Sequence, residues 1–241
     1  MKAGKLLDRR GWARLWLGLI AVAATGGLAV AADSVLKPGT EKPADAVVLF
    51  DGKDASQWTV FNSKDPANWP VEDGALVSAK NDIASKARFK DFQLHVEFNE
   101  PKLGPEFKGQ DRGNSGVYLQ GRYELQVLDS FHNDTYANGA CGAIYLVKAP
   151  LVNAAKPPGE WQTYDITFHM ARFENGKKVK DAHVTVYWNG QLVQDNTDIP
   201  HPTGGGAKET PEGGPIRLQF HHHSVRFRNI WIVPVEPSAA G

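Results

Sequence analysis

Downstream of position 46 the chain is dominated by apolar and polar residues alternating with period two, the pattern of strands that bury one face. Phe92, Leu94, Val96 and Phe98 fall on one side of the clearest run, Gln93, His95 and Glu97 on the other. The stretch Gly113-Asn-Ser-Gly-Val-Tyr-Leu-Gln-Gly-Arg-Tyr-Glu-Leu-Gln-Val-Leu-Asp-Ser130 reads as two strands in succession. Val117 and Leu119 alternate with Tyr118 and Gln120, Gly121-Arg122 breaks the run, and Tyr123, Leu125 and Val127 then alternate with Glu124 and Gln126. Val47 to Phe50 is the first strand, and Trp58 to Phe61 is expected to continue it after the turn at Asp51-Gly52-Lys53. Asp73-Gly74 centres one hairpin and Asn189-Gly190 joins His183–Trp188 to Leu192-Val193 in another. Trp161 to Met170, Ile216 to Phe220 and Val225 to Val233 supply further strands, and Ala143 to Val147 a short one inside a long loop. No segment carries a convincing helical period, and no internal repeat is visible. Ten or more short strands with regular turns predict an all-β, two-sheet antiparallel sandwich in preference to a barrel.

The N-terminus breaks this pattern. Lys2, Lys5, Arg9, Arg10 and Arg14 precede an apolar run from Leu15 to Val30, and Ala29-Val-Ala31 is a small-x-small cleavage pattern, so residues 1–31 read as a secretory signal peptide. Arg9-Arg10 also suits twin-arginine export. The run is short for a spanning helix and is interrupted by Thr25-Gly-Gly27, so no stable membrane insertion is expected after cleavage. The mature chain is expected in the periplasm or outside the cell. Residues 32–46, rich in Pro and charge, read as a flexible linker, 47–235 as one domain and 236–241 as a tail.

Removing residues 1–32 takes five basic residues and Asp8 from totals of 27 and 27, leaving 22 basic and 26 acidic and a net charge of −4. That balance does not suggest a nucleic-acid partner. Cys141 is the single cysteine, so no intramolecular disulfide supports the fold. It reads as a small buried residue more readily than as a catalytic thiol. The five tryptophans after the leader, at 58, 69, 161, 188 and 231, read chiefly as core anchors.

A face offering Tyr118, Gln120, Glu124 and Gln126 looks like a recognition surface, although an antiparallel sheet commonly leaves one face simply solvated. Several ordered motifs carry a resemblance. Leu49-Phe-Asp-Gly52, Trp69-Pro-Val-Glu-Asp-Gly74, the 113–130 stretch, Pro158-Gly-Glu-Trp-Gln-Thr-Tyr-Asp165 and Val225-Arg-Phe-Arg-Asn-Ile-Trp231 resemble the 3-keto-disaccharide hydrolase family over about Val47 to Pro234. The resemblance implies a jelly roll of the concanavalin A-like lectin/glucanase type whose concave sheet forms a carbohydrate groove. It also implies cleavage of glycosides whose sugar carries a ketone at carbon 3. One departure stands out: where the family usually ends a strand Leu-Gln-Asp-His-Gly, this chain reads Leu218-Gln-Phe-His-His-His-Ser224, with an aromatic in place of the acid.

A ketone at carbon 3 acidifies the proton on carbon 2, so the group on carbon 1 can leave by elimination and water can then add. That route needs a base near carbon 2, a stabiliser for the enolate and an acid for the leaving oxygen. Glu124 is the candidate base, as the one acid on the polar face of its strand. Asn114, Tyr118, Gln120, Arg122, Gln126 and Gln219 are candidate sugar or enolate contacts, and His222, nearest to the family's histidine, is the candidate acid. A two-carboxylate glycosidase would pair Glu124 with Asp129, but an offset of five puts them on opposite sides of a straight strand. No cofactor is required. In a straight strand His221 and His223 share a face, so with Glu124 they could hold a divalent ion that polarises the ketone. A lectin-like module that binds carbohydrate without turnover is the alternative, and a purely structural sandwich leaves the polar face unexplained. N-terminal sequencing of exported protein should begin near Ala32 or Asp33; a mature chain starting at Met1 in the membrane fraction would overturn the leader assignment.

Overall fold

Alternation along each strand sorts its side chains between an apolar interior and an outer face, and two sheets close over that interior in the jelly-roll sandwich expected from the sequence. The computed structural model describes residues 34–235, so the leader expected over 1–31 and the tail expected over 236–241 lie outside the described residues. In chain order the strands are β1 (Val47–Phe50), β2 (Trp58–Val60), β3 (Val71–Glu72), β4 (Ala75–Val77), β5 (Ile83–Ser85), β6 (Asp91–Asn99), β7 (Ser115–Leu119) and β8 (Tyr123–Val127). They continue as β9 (Gln162–His169), β10 (Arg172–Glu174), β11 (Lys177–Lys180), β12 (Ala182–Trp188), β13 (Gln191–Ile199), β14 (Arg217–Leu218) and β15 (Arg226–Val235). The larger sheet runs β13-β12-β9-β6-β15-β4-β3 with β1 also paired to β15; the smaller runs β2-β5-β14-β7-β8, and every pairing is antiparallel. No helix among the described residues is long and apolar enough to cross a membrane.

The larger sheet turns Phe92, Leu94, Val96 and Phe98 of β6 and Tyr164, Ile166 and Phe168 of β9 inward. They meet Val117, Leu119, Tyr123, Leu125 and Val127 of the smaller sheet, all fully buried. Left-handed residues build the hairpins: Asp73 and Gly74 have φ of 48° and 73°, Asn189 and Gly190 50° and 83°, the paired positive values of a two-residue turn that follows strand twist. Asn175-Gly176 repeats the device between β10 and β11. Trp58, Trp69, Trp188 and Trp231 are buried as expected, while Trp161 is half-exposed beneath the Arg228 guanidinium at 3.9 Å.

Three sequence expectations change. Trp58–Val60 does not continue β1: the chain crosses between sheets, β1 pairing with β15 and β2 with β5. Ala143–Val147 is a tight turn, with Leu146 at φ 60° and single bridges at Ile144, because its role is to satisfy the open edge of β8. Gln126 N donates to Ala143 O at 2.9 Å, Gly142 N to Gln126 O at 3.0 Å and Tyr145 N to Glu124 O at 3.1 Å. The segment read as a linker is anchored on the outer face of the larger sheet. Leu36 is buried against Trp231 and Val233, its N–H donates to Thr167 Oγ1 at 2.8 Å, and Gln93 Nε2 donates to Ser34 O at 2.7 Å.

Glu100, just past β6, is buried completely; Gln162 Nε2 donates to its Oε2 at 2.6 Å and Oε1 has no partner. Burial lifts its pKa from 4.5 to about 8, with Asp129 pushing the same way and Gln162 opposing. The folded chain therefore keeps a proton that the unfolded chain releases near 4.5, so this contribution to stability is complete below about 4.5 and is lost as pH rises through about 8. The urea midpoint should fall over that interval and fall less in Glu100→Gln. The same pH slope in both proteins would contradict this assignment.

Candidate active site

The outer face of the smaller sheet is built by cross-strand neighbours. Register places Thr59, Ala84, Arg217, Tyr118 and Glu124 in one row across β2, β5, β14, β7 and β8. A second row sets Gly116 opposite Gln126, with Gln219 N donating to Gly116 O at 3.0 Å. Because residues two apart share a face, Asn114 joins this surface beyond Gly116. Sheet faces of this kind usually stay wet, yet Tyr118, Glu124 and Gln126 are buried, at 1%, 4% and 1% exposure. Loops cover them. Glu124 N donates to Thr203 Oγ1 at 2.8 Å and Tyr118 OH to Gly204 O at 3.0 Å, tying the loop that follows Thr203 over the row.

What remains open is a cavity of about 250 Å³ lined by Asn114, Tyr118, Glu124, Gln126, Tyr145, Gly204, Gly205, Arg217, Gln219 and His221. Beside it, a Cβ on Gly116 would overlap Glu124 Oε1 as the carboxyl now lies, so the carboxyl rests over a residue without a side chain. Burial raises the Glu124 pKa to about 7, opposed by the Tyr118 hydroxyl and by Arg217, while Asp82 adds to the rise. Arg217 does not neutralise it outright. Its Nε donates to Asp82 Oδ2 at 2.6 Å and Nη1 to Gly205 O at 2.7 Å, and its plane is held between Tyr118 and Phe61 at 4.1 and 4.2 Å from the ring centres. Burial pushes the Tyr118 hydroxyl well above its ordinary range, so it stays protonated and can donate.

Three buried polar atoms of the lining have no partner in the chain: Gln126 Oε1, Gln219 Oε1 and His221 Nδ1. Unmet groups of this kind are costly to bury. Gln126 is oriented from behind, its Nε2 donating to Gln110 Oε1 at 3.0 Å, and Asn114 Nδ2 donates to Gln110 O at 2.8 Å.

Of the sequence candidates, Asn114, Tyr118, Glu124, Gln126 and Gln219 converge here. Gln120 and Arg122 do not. Gln120 has a left-handed φ of 56°, which ends the alternation of β7 and turns its amide to Phe89 O at 2.9 Å and Lys90 O at 3.0 Å. Arg122 donates to Gln120 Oε1 at 2.7 Å and, with it, lines a neighbouring cavity. His222 also misses the site. The three histidines form a tight turn instead of a strand, with His223 N donating to His221 O at 2.7 Å and His222 at φ 65°, so the His222 side chain is 75% exposed. His221 borders the cavity in its place. His223 packs edge-on against Phe107 at 4.8 Å, so His221, His223 and Glu124 do not share one face. Among the described residues no group of three or more His, Cys, Asp or Glu is placed to hold a metal ion. Asp129 lies off the cavity, paired with Arg112 at 2.7 Å, and Cys141 is buried with its Sγ 3.0 Å from Tyr164 OH. Sequence reasoning missed Arg217 and Tyr145: the alternation of Arg217 with Ile216 and Leu218 is a signal for its face, while Tyr145, in a turn, leaves none.

The sandwich and this lining define a carbohydrate-active jelly-roll protein. Within that class the chain belongs to the 3-keto-alpha-glucoside-1,2-lyase-like domain family, whose profile matches residues 45–233. A crystal structure of a putative glycosyl hydrolase from Parabacteroides distasonis ATCC 8503 is 38% identical, with a TM-score of 0.75 over 93% of this chain and 100% of that one. Another from the same organism, described in the same words, is 26% identical, with a TM-score of 0.50 over 74% of this chain and 99% of its own. A third, 21% identical with a TM-score of 0.57, shares the fold over 79% of this chain and 94% of its own. No match was found among curated protein sequences.

The Glu124 carboxyl should titrate near 7 by carboxyl-carbon NMR, and Tyr118→Phe should raise that value further because the hydroxyl favours the ionised form. Titration near the ordinary 4.5 would contradict the description of the site.

Proposed function

We propose that the protein cleaves 3-keto-glycosides by elimination across carbons 1 and 2 followed by hydration, with Glu124 as the base. The observation that carries this reading is a buried carboxyl, its pKa lifted to about 7, set among unpartnered polar atoms on the sheet face that forms the cavity floor. A base works best when its pKa lies near the operating pH, and neither an amide nor a hydroxyl in this lining can take a carbon-bound proton. Membership of the 3-keto-alpha-glucoside-1,2-lyase-like family supports the choice of a keto sugar.

Glu124 takes the proton from carbon 2 as the carbon 3 carbonyl becomes an enolate. The Arg217 guanidinium lies in the same row and would stabilise that oxygen, joined by the Tyr118 hydroxyl once its proton turns from Gly204 O. His221, whose Nδ1 is unpartnered, replaces the sequence candidate His222 as the acid for the leaving oxygen. Water then adds to carbon 1 as a proton returns to carbon 2, completing net hydrolysis. Asn114, Gln126 and Gln219 orient the ring through its hydroxyls, and Tyr145 offers an aromatic wall. With its leader removed, the enzyme would act in the periplasm or outside the cell.

Glu124→Gln keeps the shape and removes the basicity, so turnover of a 3-keto-glucoside should fall by ~10²–10⁴-fold while binding stays within a few-fold of wild type. In the wild type, kcat/KM should rise as pH approaches about 7, where the carboxyl loses its proton. Normal turnover in Glu124→Gln would place the base elsewhere. Binding without turnover by the wild type would favour the lectin-like alternative.

A further inference from the structure

A second cavity, of about 560 Å³, lies on the same sheet face and takes no part in the chemistry above. Lys64, Lys86, Arg88, Arg122 and Lys208 line it with Phe61, and no Asp or Glu belongs to the lining. The mature chain carries a net charge of −4, so a local excess of five cations runs against the composition and is not its by-product. Among the described residues none of the five forms an ion pair with a carboxylate. Arg122 is the most constrained. It is 3% exposed, and its guanidinium hydrogen-bonds only neutral acceptors: Gln120 Oε1 at 2.7 Å, Thr210 Oγ1 at 2.6 Å, Thr210 O at 3.3 Å and the Glu212 backbone carbonyl at 3.0 Å, with the Glu209 and Glu212 carboxylates as outer charges that offset part of the five. Arg88 donates to Gly213 O at 2.7 Å, and the three lysines are exposed. Like charges gathered around a concavity repel one another and raise a positive potential that an anion relieves.

The two cavities are neighbours along one row of the sheet. Thr59 and Ala84 line the basic cavity, Arg217, Tyr118 and Glu124 the smaller one, and the five are successive cross-strand neighbours. Three strand spacings separate Ala84 from Glu124, roughly 14 Å. Arg217, stacked between Phe61 and Tyr118, is the partition.

We propose that the basic cavity is a subsite for an acidic leaving group, one whose carboxylate is received by the cations when the sugar sits at Glu124. Its use as a leaving-group subsite rests on the proposed function, whereas its preference for an anion does not. The larger volume suits a second ring, and the loop after Thr203 contributes to both walls through Gly205 on one side and Lys208 on the other.

The test uses unoxidised 4-carboxyphenyl glucoside and its 4-carbamoylphenyl counterpart, matched in shape and differing in charge, titrated by calorimetry into the wild type and into a Lys64→Ser/Lys86→Ser/Lys208→Ser variant. These exposed lysines make no ion pair among the described residues, so the variant keeps the core and the Glu124 cavity intact. At low salt the wild type should bind the acid on the order of tenfold more tightly than the amide, and the advantage should shrink both at about 0.5 M salt and in the variant, which keeps only Arg88 and Arg122. Equal affinity for both glucosides in the wild type, or an undiminished advantage in the variant, would overturn the subsite. With the 3-keto forms the same preference should enter through KM at unchanged kcat. Failure to turn over either 3-keto form would sink the proposed reaction, and the binding preference would still decide the subsite.

Discussion

A carboxyl held out of water without a cation of its own is the constraint around which the smaller sheet is arranged. Glu124 keeps its proton to about pH 7 because burial penalises the charge and the one guanidinium within reach is committed to Asp82 and Gly205. Had Arg217 paired with Glu124 directly, the carboxylate would be a weak base with its charge already neutralised. Tyr118 and Phe61 hold the guanidinium flat between their rings, close enough to steady an adjacent negative charge. Gly116 leaves the space into which the carboxyl leans.

The sandwich supplies the rigidity this arrangement needs. Val117, Leu119, Leu125 and Val127 anchor β7 and β8 from the core side, so the polar residues between them inherit fixed directions. β8 is the edge strand of its sheet, and the turn at 142–145 with Thr203 takes up its outward backbone groups. The same contacts bring Tyr145 and Gly204 to the rim of the cavity, so closing the edge and roofing the site are one structural act.

Alternation made much of this legible in the sequence. The paired strands of the 113–130 stretch, the faces of β6 and the hairpins at Asp73-Gly74 and Asn189-Gly190 all follow from period two and from residues that tolerate positive φ. The misses fall where backbone leaves that period. Gln120 and His222 both adopt left-handed conformations, at 56° and 65°, and each side chain points away from where a straight strand would have sent it. Long-range pairing was hidden for a different reason: nothing local in Arg217 shows that it will lie between Ala84 and Tyr118, far away in sequence. The basic cavity shares that concealment, since its cations come from several separate segments and none forms a run.

Elimination differs from direct displacement in the fate of one hydrogen, which gives the account its most direct test. Turnover of a 3-keto-glucoside in heavy water, followed by NMR at times short enough to exclude exchange of the released sugar, should yield product carrying one deuterium at carbon 2 for each bond cleaved. Product that keeps its original hydrogen at carbon 2, from a substrate whose deuteration at carbon 2 leaves kcat/KM unchanged, would contradict proton abstraction by Glu124 and with it the reaction proposed for this site.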